Sequence, residues 1–264
     1  MANRYYIFLS YKGTSYHGWQ VQPNAISVQN VIEKALSTIL CETISVVGAG
    51  RTDTGVHASF FCAHFECSDN KITDTNTLVY KLNSILPPDI AILGIKEVSH
   101  DDHARFSAIS RTYKYFISKH KSPFGNDFSW HLNKKFNIER MNDACEILKR
   151  HTDFTSFSKL HTDVKTNNCV IKEAYWRQNG SYLVFTIKAD RFLRNMVRAI
   201  VGTMIEVGLE KISLEDFDSI IKAKDRCQAG QSVPAQGLFL VDIEYPNITS
   251  EEKESIIKEH LLFL

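Results

Sequence analysis

Between residues 47 and 58 the chain reads Val-Gly-Ala-Gly-Arg-Thr-Asp-Thr-Gly-Val-His-Ala. Gly48, Gly50 and Gly55 fall within eight residues, with Arg51, Asp53 and His57 among them. Glycines this dense allow positive φ and close backbone approach to a ligand. Asp53 could act as a nucleophile with Arg51 as a nearby positive contact. A phosphate-cradling loop is a poor match, because neither GxxxxGK[ST] nor GxGxxG occurs and a strand follows in place of a helix. Asp53-Thr54-Gly55 also spells the triplet of an aspartic protease. That chemistry needs two carboxylates sharing one proton, and the triplet occurs once. A tight loop in which Asp53 caps a turn is the bland alternative.

Other polar groups carry weaker signals. His57, Cys62, His64 and Cys67 have the spacing H-x4-C-x-H-x2-C. This lacks the close cysteine pair of a zinc site, so we expect buried structural residues and no metal. Arg191, Arg194 and Arg198 stand at i, i+3 and i+7 beside an apolar run. On one helix they share a face, either a solvated stripe or a phosphate-binding one. Tyr113 alternates with Tyr115 on an apparent strand and reads by itself as a sheet-face aromatic. Arg111, Lys114, Lys119, Lys121, Lys134 and Lys135 are further candidates for a basic surface.

The elements that must position these groups alternate. Tyr5–Tyr11 reads as a strand. Ser27 is an N-cap, followed by Val28, Val31, Ile32, Ala35, Leu36, Ile39 and Leu40 at helical spacing. Strands are expected at Thr43–Val47, Ser59–Cys67 and Ile90–Val98, with a helix through Leu78, Leu82 and Ile85 stopped by Pro87-Pro88. The order is β-α-β-β-α-β. The second half repeats it: a strand at Thr112–Lys119, a helix through Met141 and Leu148, a hairpin across Asn179-Gly180, a helix at Phe192–Gly208, a helix capped by Ser213, a strand at Leu238–Tyr245 and a terminal helix at Glu251–Leu262. Met141 and Met196 fall at core positions. This order predicts an α+β protein of two ferredoxin-like halves, 1–104 and 105–264, with a merged antiparallel sheet and a central cleft.

The whole chain has 264 residues, 31 basic and 30 acidic, for a net charge of +1. Bulk charge therefore selects no partner, and any nucleic-acid surface must arise from local clustering. The longest apolar stretch, Met196–Leu209, is interrupted by Arg198, Gly202, Thr203 and Glu206. It is too short and too polar to span a bilayer. The apolar start is read as a strand, not a signal peptide, and the six scattered cysteines as buried, reduced thiols of a cytoplasmic protein.

The segment GAGRTDTGVHA resembles the signature of the tRNA pseudouridine synthase A (TruA) family. GTSYHGWQVQ at 13–22, HARFSA at 103–108, RTYKY at 111–115, FLRNMVRAIVG at 192–202 and VPAQGLFLVDIEY at 233–245 resemble further blocks, in order. Lys12 departs from the aspartate usual there. The resemblance implies a pseudouridine synthase fold and an isomerase that moves the glycosidic bond of uridine from N1 to C5. It implies uridines 38, 39 and 40 of the tRNA anticodon stem-loop as targets, with no metal or other cofactor.

By this resemblance Asp53 is the catalytic aspartate, attacking ribose C1′ or otherwise assisting departure of uracil. Arg198 matches its basic partner; burial favours a neutral acid, whereas a nearby cation favours the carboxylate. Tyr113 matches the residue that stacks on the target base. Arg51 matches the arginine that takes the place of the flipped nucleotide. Leu193 packs against the base, and Arg194 is a further substrate contact. Family members are commonly homodimers. Two rivals remain on the sequence: a non-catalytic RNA-binding protein on the same scaffold, and an aspartyl hydrolase.

Overall fold

The computed structural model describes residues 2–159 and 166–258. Among them the structure is mixed α/β, with nine strands and six α-helices. It divides into two compact units. One runs to Ile109 and resumes at Leu240; the other is Ser110–Phe239.

The first unit begins with β1 (Ala2–Tyr11), then α1 (Val28–Leu40), β2 (Val46–Gly48), β3 (His57–Ser68), α2 (Thr75–Ile85) and β4 (Ile90–Val98). The neighbours run β4-β1-β3, with β2 on β3, and the β1–β4, β1–β3 and β2–β3 pairs are antiparallel. Ser27 caps α1 by accepting the Asn30 N–H, which satisfies one orphan donor of the first turn. Asp74 caps α2. Val28, Ile32, Ala35, Leu36 and Leu40 are the buried face of α1. Tyr5–Leu9 and Phe60–Phe65 are buried without alternation, so β1 and β3 are covered on both faces. Phe8 stacks on Phe60 and Tyr5 on Phe65, both with centroids 5.6 Å apart.

The strand expected at Thr43–Val47 starts later. The Ile44 N–H donates to Ser37 Oγ and the Val46 N–H to Glu33 Oε1, both at 2.9 Å. Side chains of α1 take backbone donors that a longer strand would have offered to a neighbour. The later elements of this unit are most of β9 (Leu238–Glu244) and α6 (Ser250–Lys258). The expected continuation of the last helix through 259–262 lies outside the described residues.

The second unit contains β5 (Ser110–Ser118), β6 (Trp130–His131), α3 (Ile138–Lys149), β7 (Ile171–Asn179), β8 (Tyr182–Ala189), α4 (Met196–Gly208) and α5 (Leu214–Ala223). Its neighbours run β5-β8-β7, antiparallel throughout. The two-residue β6 pairs parallel with β5, so the pairing is not purely antiparallel as the sequence led us to expect. Asn179 faces Tyr182 as the last hairpin pair, so the loop is Gly180-Ser181, one residue on from the Asn179-Gly180 expected. Gly180 has φ +55°, at the first loop position, where a tight hairpin turn favours glycine. In α4 only Arg198 and Glu206 escape full burial, the mark of a helix enclosed by its unit.

Two expectations fail here. The helix expected from Phe192 begins at Met196, because Asn195 takes a left-handed φ of 65°. A right-handed helix cannot run through that conformation, which asparagine tolerates better than most residues. Arg191 and Arg194 therefore precede α4, and the three arginines do not form a helical stripe. Of the thiols, Cys41 and Cys227 are exposed. Cys41 ends α1 at φ 49°, and Cys227 follows α5 in a turn held by Asp225 Oδ1. Cys62 and Cys67 are buried, and burial pushes their thiols up to about 12 and about 11.

His64 is buried on β3, and its Nδ1 accepts the Ala104 N–H at 3.1 Å. Burial, reinforced by the charges of His103 and Arg4, pushes its pKa down to about 4. The unfolded chain, with a histidine near 6.5, therefore binds the extra proton between those values. Stability is full above about pH 6.5 and falls as pH drops toward 4. A His64→Gln variant should be less stable at pH 7.5 and lose less between pH 7 and 5, read as Tm against pH.

Candidate active site

Asp53 lies in the loop between β2 and β3, half-buried, with Arg51 and Thr54 exposed on either side. The Asp53 carbonyl accepts the Val56 N–H at 3.1 Å, closing a turn in which Gly55 takes φ +79°. Positive φ is strained for any side chain here, so this glycine serves the backbone. Thr52 is buried, and its Oγ1 meets the Tyr11 hydroxyl at 2.9 Å. Beneath the loop Trp19 stacks on Phe61 at 4.1 Å, with Tyr11 tilted against Trp19 and edge-on to Phe61. Gly48 matters as space: a Cβ there would lie 2.4 Å from Trp19 Nε1. Gly50 does not share that role, since a Cβ there meets nothing within 4 Å and its φ is not positive.

A second segment, 13–19, lies against the Asp53 loop backbone to backbone. A Cβ on Gly13 would sit 2.0 Å from the Val56 carbonyl oxygen, and one on Gly18 would sit 2.3 Å from that of Thr52. The Trp19 N–H donates to the Thr52 carbonyl at 3.3 Å and the Gly55 N–H to the Tyr16 carbonyl at 3.4 Å. The Gly13 N–H donates to His57 Nδ1 at 3.0 Å, which gives His57 a structural contact. Tyr16 is fixed in turn: its hydroxyl donates to Asp89 Oδ1 at 2.6 Å, and the Asp89 carbonyl accepts the Lys12 N–H. Lys12 thus enters this contact through its backbone N–H. Reading the sequence left Gly13, Tyr16, Gly18 and Asp89 without roles. The available signal was the pair of glycines within GTSYHG.

The other sequence-selected residues belong to the second unit. Tyr113 stands on β5, opposite Ile187 of β8, and its half-buried ring meets Phe192 edge-on at 5.1 Å and 89°. Leu193 is buried, and its N–H points to Met196 Sδ at 3.5 Å. Arg194 is exposed in the turn before α4. Arg198, on the first turn of α4, donates from Nε to the Val233 carbonyl at 2.7 Å, while the Val233 N–H returns to the Arg198 carbonyl. Tyr115 fixes the next residue by donating to the Pro234 carbonyl at 2.9 Å. Burial pushes the Tyr115 hydroxyl pKa well up, opposed by the nearby Arg198 charge. Asn195 Nδ2 donates to Ser232 Oγ at 2.6 Å, and Arg226 donates to the same oxygen at 2.9 Å. The structure thus groups Arg51 with Asp53 in one unit, and Tyr113, Leu193, Arg194 and Arg198 in the other.

The family profile described as tRNA pseudouridine synthase matches residues 7–107 and 144–246 of this chain. The chain belongs to that family. Among its relatives, the tRNA pseudouridine synthase A of Bacteroides thetaiotaomicron is 52% identical over 98% of this chain and 97% of its own. That of Parabacteroides distasonis is 53% identical over 92% and 96%. A more distant one from Thermoanaerobacter sp. is 40% identical over 90% and 98%. As a tRNA pseudouridine synthase the protein is an isomerase acting on tRNA uridine. No helix among the described residues is long and apolar enough to cross a membrane.

In this synthase the loop contacts make Gly18 and Gly50 a discriminating pair. Gly18→Ala forces a Cβ into the Thr52 carbonyl at a φ of +86°. We expect it to lower kcat at least tenfold and to reduce Tm. Gly50→Ala should leave both close to wild type, as read by steady-state kinetics and thermal unfolding.

Proposed function

We propose that the protein converts uridine to pseudouridine at positions 38, 39 and 40 of the tRNA anticodon stem-loop, with Asp53 as nucleophile. The observation that carries this reading is Asp53 on a loop fixed through its backbone, in a chain of the synthase family. A carboxylate that must meet C1′ gains from such pre-organisation, because a displaced reacting group costs rate steeply.

The proposed steps balance without any added reagent. Asp53 attacks C1′ as the N1–C1′ bond breaks and uracil leaves with the electron pair. The base turns, C5 displaces the Asp53 carboxylate from C1′, C5 gives up its proton, and N1 takes one. Substrate and product are isomers, so neither oxidant nor nucleotide is consumed. Arg198, held by the Val233 carbonyl, serves as the basic partner of Asp53. Tyr113, braced by Phe192, stacks on the base and assists removal of the C5 proton. Arg51 occupies the place of the flipped nucleotide, offsetting an unstacking cost of a few kcal/mol. Leu193 packs against the base, and Arg194 contacts the substrate.

The architecture that goes with this reading is two ferredoxin-like halves, with Asp53 carried by the first. The order β4-β1-β3-β2 in the first unit supports it. The proposal includes a cytoplasmic homodimer that binds tRNA through Lys119, Lys121, Lys134, Lys135 and neighbouring basic residues. Binding through phosphates makes affinity fall steeply as salt rises.

The test is tritium release from a tRNA transcript carrying [5-³H]uridine, with single-uridine replacements at 38, 39 and 40. Wild-type protein should release tritium from each position. Asp53→Asn should lower release by more than a thousandfold while still binding tRNA in a filter assay. Release by both proteins would refute Asp53 as nucleophile, and release unaffected by the three replacements would refute the assigned positions.

A further inference from the structure

Phe106, in the segment between β4 and β5, is 75% exposed. A lone exposed aromatic is ordinary on a protein surface, but this one is held by an ordered support. Ala104 is fully buried; its N–H donates to His64 Nδ1, and its carbonyl accepts the Tyr245 hydroxyl at 2.6 Å. His103 then takes over the next two residues, its Nδ1 accepting the Arg105 and Phe106 N–H groups at 3.1 and 3.3 Å. The His103 N–H donates to Ser107 Oγ, and the Ser107 N–H returns to the His103 carbonyl. Burial lowers the pKa of both His64 and His103, reinforced at each by the Arg4 charge. The neutral rings therefore remain acceptors at neutral pH.

The rings also form a succession. His64 meets His103 at 4.6 Å, and His103 meets Phe106 at 4.4 Å with a 35° tilt. The Arg105 guanidinium lies 5.5 Å from the Phe106 centroid. The outcome is one open aromatic ring, braced beneath by a histidine and flanked by a cation. A surface that docks protein presents contiguous apolar area. Here the sequence neighbours of Phe106 are Arg105, which is exposed, and Ser107, which is half-buried; the next exposed apolar side chain, Ile109, is three residues on. Aromatic rings paired with arginine are how single-stranded nucleic acid is held: the ring takes the face of a base and the cation its phosphate or π-face.

We propose that Phe106 and Arg105 form a stacking subsite for an unpaired base of the RNA substrate, separate from the loop that carries Asp53. The subsite rests on the protein acting on tRNA. It holds substrate and takes no part in bond breaking, so it contributes to KM and not to the chemical step. Base-on-aromatic stacking is sequence-tolerant, because every base offers a π-face. This suits an enzyme whose target uridines lie in different sequence contexts.

The experiment uses the full-length protein with an unmodified tRNA transcript. Phe106→Trp should retain the wild-type KM, and its added fluorescence over the native tryptophans should fall by at least half on tRNA binding. A fully paired RNA duplex should quench it little. Phe106→Ala should fold with an unchanged Tm and raise KM about tenfold with kcat preserved, and Arg105→Ala should raise KM in the same direction. No tRNA-dependent quenching, or an unchanged KM for Phe106→Ala, would overturn the proposal. So would an altered oligomeric state of Phe106→Ala at unchanged tRNA affinity, which assigns the ring to protein contact. Quenching by tRNA without tritium release by the wild type would sustain the subsite and refute the isomerase reading alone.

Discussion

The contact on which the Asp53 loop depends is the approach of one backbone to another without intervening side chains. Segment 13–19 lies so close to 52–56 that a single methyl at position 13 or 18 would overlap a carbonyl oxygen of the opposite segment. At that range the N–H of Trp19 reaches Thr52, and the N–H of Gly55 reaches Tyr16. Peptide groups, whose geometry varies little, thus hold the loop together with the Tyr11–Thr52 and Gly13–His57 contacts. The stacked Trp19 and Phe61 fill the space below. Asp53 is carried on the backbone this arrangement positions, and such pre-organisation suits the role proposed for it.

The second unit solves a different problem, placing a cation within an apolar helix. Eleven of the thirteen residues of α4 are buried, and Arg198 is one of the two that are not. The Val233 carbonyl receives its Nε, and Tyr115 secures the adjacent Pro234 carbonyl. The turn before the helix is fixed by Asn195, whose side chain shares Ser232 Oγ with Arg226. One residue thus sets both where the helix starts and how the arginine segment meets 232–234. The segment carrying those carbonyls is thereby tied to the start of α4.

Much of this was legible in the sequence, for reasons that differ between elements. Ser27 and Ser213 were readable as caps because capping is a local hydrogen bond within four residues. The two rounds of alternating elements were readable from hydrophobic period alone. The family was readable because its motifs are compact. The start of α4 was not, since Phe192-Leu193 continues the apolar pattern and only the left-handed Asn195 interrupts it. Nor was the exposure of Cys41 and Cys227, which follows from where α1 and α5 end.

The sequence by itself therefore determined the family, the order of elements and the short segments in which reactive groups are concentrated. The order of elements rests on interactions spanning a dozen residues or fewer. The tertiary structure alone decided that Gly13 and Gly18 clamp the loop, that His64 supports Ala104 across 40 positions, and that Tyr245 reaches the same residue across 141. These contacts depend on which strands become neighbours. A glycine or histidine looks the same in sequence whether or not a distant carbonyl comes to lie against it, so only the folded chain gives it a role.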